Sequence, residues 1–129
     1  MNAPGLAAYN ATKIDAMVFE ATPHKLVEML FKGAKDALVQ SLGAIHRRDF
    51  EAKGKKLSKA IEIILNLQTI LDKDKGGEVA DNLNDLYLYM AARLVDANRF
   101  NDTAKVQEVI ELLDTVSDGW ESIPSEFKQ

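Results

Sequence analysis

Apolar positions in this chain recur three and four residues apart along most of its length. That is the period of an α-helix and not of a strand. Leu26, Val27, Leu30, Ala34, Leu38 and Ile45 trace one face up to about residue 47. Thr22-Pro23 predicts where this first helix begins, with Thr as N-cap and Pro at the first helical position. Arg47-Arg48-Asp49 reads as a short connection, its basic residues suited to a helix C-terminus. A second helix is expected from about Asp49 to Leu71. Lys73-Asp74-Lys75-Gly76-Gly77 is the strongest break in the sequence, and a third helix is expected from about Glu78 to Phe100. Asn101-Asp102 supplies a further N-cap. A fourth helix carries Val106, Val109, Ile110, Leu113, Val116 and Trp120. Helices of about 20 residues joined by short connections favour antiparallel neighbours, hence an all-α, up-down four-helix bundle.

The chain reads as a single helical-bundle domain over 1–129. Residues 1–21 form an N-terminal capping segment, in which Ile14, Met17 and Val18 are spaced for one short, mobile amphipathic turn. Residues 22–121 form the bundle. Residues 122–129 are a polar tail expected to fray.

Two helices carry more apolar surface than one core requires. In the third, Val79, Leu83, Leu86, Met90, Leu94 and Ala97 make one face, while Leu88, Ala91 and Val95 fall nearly opposite at about 100° per residue. In the second, nine of the fifteen residues from Leu57 to Leu71 are apolar. They cover an arc of roughly 220°, against the ~100° or somewhat more of an ordinary surface helix. Ala60, Ile64, Leu67 and Leu71 lie mid-arc as core. Ile63 and Ile70 lie on one flank, Ile61 and Leu65 on the other. Either the second helix is simply the most buried member, or one flank forms a groove for a partner. That both helices share the excess favours the groove.

Composition narrows the class. Apolar residues are 47% and charged residues 28% of 129, ordinary values for a globular domain with a real core. No apolar run is long enough to span a membrane, and the first residues lack the pattern of a secretory signal. With no cysteine there are no disulfides or thiolate metal sites, which fits a cytoplasmic protein. The net charge of −4 is unevenly spread: residues 1–71 carry 10 basic and 7 acidic side chains, residues 72–129 carry 6 and 13. The basic excess gathers in Arg47, Arg48, Lys53, Lys55, Lys56 and Lys59. No aromatic series interleaves with it, so it reads as a solvated helix end rather than a nucleic-acid site.

Catalytic and cofactor chemistry finds no footing. Bundle metal sites need carboxylates with Glu-x-x-His pairs. Here there are only His24 and His46, neither of them three residues after a Glu, and His24-x-x-x-Glu28 is a single pair able to touch on a helix. Neither histidine sits mid-helix beside a Lys-Gly pair as in a phosphotransfer bundle. There is no phosphate-binding Gly-rich loop, no nucleophile elbow and no cofactor motif.

One resemblance organises these observations. Thr22-Pro23-His24-Lys25-Leu26-Val27-Glu28-Met29-Leu30-Phe31-Lys32-Gly33-Ala34 resembles the opening of the flagellin-specific export chaperones, the FliS family. Lys59-Ala60-x-x-Ile63-Ile64-x-x-Leu67-x-x-x-Leu71 is similar to that family's second helix. Gly76-Gly77-Glu78, Asn82-Leu83, Leu86-Tyr87-x-Tyr89-Met90, Leu94 and Ala97-Asn98 resemble its third. Val109, Leu112-Leu113 and Trp120 match its last helix, and Tyr9 an N-terminal aromatic. Phe31 stands where Tyr is frequent, and Leu88 where a polar residue is common.

The resemblance implies a cytoplasmic bacterial chaperone, without enzyme activity or cofactor, folded as an antiparallel four-helix bundle whose N-terminal segment can cover part of the binding surface. Its implied client is the disordered C-terminal segment of flagellin, kept from premature polymerisation and delivered to the flagellar type III export gate. A flagellar assembly regulator is a conceivable second partner. Combined with the surplus apolar faces, this makes Ile63, Leu67, Ile70, Tyr87, Leu88 and Val95 the expected partner surface, with Tyr9, Ile14 and Met17 contributed by the leader. No nucleic-acid or membrane partner is expected. Two rivals stand beside this reading: a phosphotransfer or adaptor bundle in signalling, and a structural bundle whose extra faces meet in a homodimer.

Overall fold

The backbone from Pro23 onward winds into four helices, as the 3.6-residue period requires: α1 (Pro23–His46), α2 (Phe50–Thr69), α3 (Lys73–Phe100) and α4 (Thr103–Ser122). The computed structural model describes residues 23–122. Each helix packs on its neighbours in sequence, and α4 closes the ring against α1, which is the up-down antiparallel bundle.

Local chemistry fixes the turns. Asp49 caps α2, its carboxylate accepting from the Ala52 N–H at 3.1 Å. Arg48, at φ 61°, takes the left-handed conformation that lets Asp49 N–H return to the Ala44 carbonyl at 2.8 Å. Asp102 caps α4 by accepting from Lys105 N–H at 3.2 Å. Before it, Asn101 ends α3 in a left-handed C-cap at φ 53°.

The break expected at Gly76-Gly77 is a kink inside α3 rather than its start. Asp72 caps a first turn beginning at Lys73 by accepting from Lys75 N–H at 3.0 Å. Gly77 then leaves helical geometry at φ 53°, ψ −128°, a conformation costly to any residue with a Cβ. Gly76 is needed for space, because a Cβ there would lie 2.7 Å from that of Ala80.

The core runs the length of the bundle. Leu38 of α1, Leu57 and Ile64 of α2, Met90 and Leu94 of α3, and Val106 and Val109 of α4 are fully buried. Each such side chain removes enough apolar area from water to be worth about 1.5–3 kcal/mol. The faces anticipated for α1, α2 and α4 are the buried ones. In α3 the expected face is buried only in its second half. Val79, directly after the kink, is 66% exposed, whereas its neighbour Ala80 is buried.

Candidate functional site

At the end of the bundle where α1 begins and α4 finishes, the helices stand apart around an open apolar cavity of about 520 Å³. Leu26, Val27 and Phe31 of α1 line one wall, and Leu67, Ile70 and Leu71 of α2 and its exit line the next. Val79, Leu83 and Tyr87 of α3, with Val116 and Trp120 of α4, complete it. The kink at Gly77 lies between Asp72 and Val79, which both line this opening. Its size is that of sites that hold sizeable apolar ligands.

Asp72, the Tyr87 phenol and the Trp120 indole are the polar side chains of the lining. Burial pushes the Tyr87 phenol up to about 12, so it stays neutral at any physiological pH. His24 stacks on Trp120 with ring centroids 5.5 Å apart, and its Nε2 lies 2.9 Å from a Glu28 carboxylate oxygen. The His24 Nδ1 is buried with no hydrogen-bond partner among the described residues. Such an atom costs about 1–3 kcal/mol unless something bonds it.

A second apolar surface lies along the outside of α2 and α3. Gln68 Nε2 of α2 donates to Asn84 Oδ1 of α3 at 2.7 Å, which fixes the flanks that face each other. Helical geometry then places Ile61 and Leu65 on the α3-facing flank of α2, and Leu88, Ala91 and Val95 on the α2-facing flank of α3. Leu65, Leu88 and Val95 are 37%, 45% and 56% exposed, so the groove between the helices is apolar and open. The opposite flank of α3 faces α4: Tyr89 Oη and Arg93 Nε both donate to the Glu108 carboxylate at 2.7 Å.

The residues singled out from the sequence divide among these places. Leu67, Ile70 and Tyr87 line the cavity, Leu67 and Tyr87 as buried walls and Ile70 at the exposed rim. Leu88 and Val95 stand on the outer groove. Ile63 is a correction. It is not on an open flank but 6% exposed, its Cδ1 3.4 Å from where a Cβ on Gly33 would stand, and so fills the α1–α2 seam. The open flank of α2 is the other one, with Leu65 and Ile61. Their place on the helical wheel was visible in the sequence; which neighbour took which flank was not. Tyr9, Ile14 and Met17 lie outside the described residues. Among the described residues no group of His, Asp and Glu is arranged to hold a metal ion, and no helix is long and apolar enough to cross a membrane.

Sequence comparison agrees with this architecture. The family model for "Flagellar protein FliS" matches residues 5–126. The flagellar secretion chaperone FliS of Salmonella typhimurium is 46% identical, over 94% of this chain and 90% of that protein. Flagellar secretion chaperone FliSB of Pseudomonas aeruginosa is 45% identical, over 89% and 91% respectively. The FliS of Vibrio cholerae is 36% identical, over 95% and 90%.

Proposed function

The chain belongs to the FliS family of flagellar proteins, and from that premise we propose that it is a cytoplasmic flagellar secretion chaperone. Its client is the disordered C-terminal region of flagellin. It keeps flagellin from polymerising early and hands it to the flagellar type III export apparatus. The observation that carries this reading is the pair of unfilled apolar surfaces: the four-helix cavity and the α2–α3 groove.

The physics follows from what the client must lose. A disordered tail surrenders chain entropy when it binds, so it needs a long apolar contact to offset that loss. Short amphipathic helices of the tail can lay their apolar faces in the α2–α3 groove, and a larger side chain can enter the cavity. The faces so covered are the ones that would otherwise drive assembly. Release requires no bond cleavage if export-gate components compete for the complex.

Titration calorimetry with a flagellin C-terminal segment tests the proposal. Binding should bring a negative heat-capacity change and little salt dependence, because Ile, Leu, Val and Tyr make the contact. Leu88→Asp should leave the melting transition within about 0.5 kcal/mol of wild type and weaken binding about tenfold or more. Wild-type affinity in that variant would exclude the α2–α3 groove. Light scattering of the free protein tests the homodimer: a dimer that the flagellin segment cannot dissociate would mean the apolar faces serve self-association instead.

A further inference from the structure

The opposite end of the bundle carries a different surface. There the α1–α2 connection and the α3–α4 connection lie side by side. Lys53 joins them, its Nζ donating to the Asn98 carbonyl at 2.8 Å and to Asn101 Oδ1 at 2.6 Å. The same Nζ sits 5.4 Å from the centroid of Phe50. Phe50 therefore stands close to the end of α3, which terminates in Phe100. Both rings are open to solvent, at 40% and 63% exposure.

Each ring is bordered by a guanidinium. Arg48 lies 5.6 Å from the Phe50 centroid and Arg99 5.1 Å from that of Phe100. Arg47, exposed in the same connection, lies back along α1, its Nη1 3.2 Å from where a Cβ on Gly43 would stand. Among the described residues none of these three arginines pairs with a carboxylate. The acids at this end are engaged elsewhere: Asp49 and Asp102 cap helices, and Glu51 lies 3.4 Å from Lys55.

From this juxtaposition we propose that the Phe50–Phe100 end of the bundle is a second docking surface, for an acidic polypeptide segment with interspersed apolar side chains. Arginine forks match carboxylates in two-point hydrogen bonds, and the exposed rings accept the aliphatic parts of the same segment. A nucleic acid fits less well. The two helix-capping carboxylates lie in the same surface, the chain is −4 overall, and three arginines neutralise too few phosphates. An anionic membrane fits less well for the same two charge reasons, and two half-covered rings give little insertion. The surface lies at the opposite end of the bundle from the apolar cavity, so a partner held there leaves the cavity free for the client.

The test uses the full chain and a fluorescein-labelled peptide of alternating Asp/Glu and Leu/Phe, followed by anisotropy. Its controls are a Ser-for-apolar version of that peptide, phosphatidylglycerol vesicles and a single-stranded oligonucleotide. The acidic apolar peptide should bind, and should lose about tenfold or more in affinity from about 50 to about 300 mM salt. Arg47→Glu with Arg99→Glu should weaken it about tenfold. Arg48→Asn, which tolerates the left-handed backbone, and Phe100→Ala should each weaken it about threefold. The same variants should bind the flagellin segment within about twofold of wild type, which separates this surface from the client site. Absent peptide binding, equal binding by the variants, equal binding of the Ser version, or tighter binding to vesicles or oligonucleotide would each overturn the proposal.

Discussion

The two ends of this bundle solve opposite problems with the same four helices. At the Lys53 end the chain closes itself. A buried lysine reaches from α2 to the Asn98 carbonyl and the Asn101 side chain at the end of α3, where a cation is favoured by the helix dipole, and left-handed residues finish both connections. At the Trp120 end the helices stand open around about 520 Å³ of apolar space, and a buried histidine nitrogen lacks a partner among the described residues. The contrast is between an end closed by polar bonds and an end left open and apolar. Packing that could have filled the cavity is left undone, and the polar staple at the other end ties α2 to the end of α3.

The largest effect that would break this division is at Ile63. Ile63→Asp puts an unpaired charge into the α1–α2 seam and should cost on the order of 4 kcal/mol, which denaturant unfolding would read directly. A stable Ile63→Asp protein would mean that the seam is loose and that the cavity end extends further than described.

Next comes the staple. Lys53→Met keeps the aliphatic stem but leaves the Asn98 carbonyl and Asn101 Oδ1 without their donor. A loss on the order of 2 kcal/mol is expected in chemical denaturation, with little change in flagellin affinity. Equal losses of stability and affinity would show that the two ends are coupled rather than independent.

A smaller and opposite effect is expected on filling the cavity. Val116→Phe adds apolar volume where space already exists, so stability should hold or rise by about 1 kcal/mol. Flagellin affinity should fall about tenfold in calorimetry if the cavity receives a client side chain.

The smallest effect concerns the α3–α4 face. Hydrogen bonds from Tyr89 and then Arg93 hold the Glu108 carboxyl below its ordinary 4.5. A carboxyl lowered on folding contributes stability that is present above its unfolded value and is lost as pH falls through the lower folded one. Wild type should therefore melt slightly above Glu108→Gln near neutral pH, and the two should converge as pH falls through the carboxyl's lowered folded value. Because the group is exposed, salt should shrink the difference.

The sequence by itself determined the elements and most of the core. Because capping and backbone strain are local and act through neighbours in the chain, helical periodicity, Pro23, Asp49 and Asp102 marked α1, α2 and α4 to within a few residues, whereas the Gly76-Gly77 pair marked a kink inside α3 and not its start. It also announced that α2 and α3 carry surplus apolar surface. Tertiary structure alone decided which surplus was buried. Ile63 and Leu65 flank the same arc of α2, yet one is sealed against α1 and the other open beside α3. Lys53 reads in the sequence as one more solvated lysine of a basic helix end and is instead 7% exposed, holding α3. The cavity has no local signature at all, since residues from four helices line it. The reason is the same in each case. A helical wheel states the angle of a side chain about its own axis, whereas burial depends on which neighbour occupies that angle, and only the packing of all four helices fixes that.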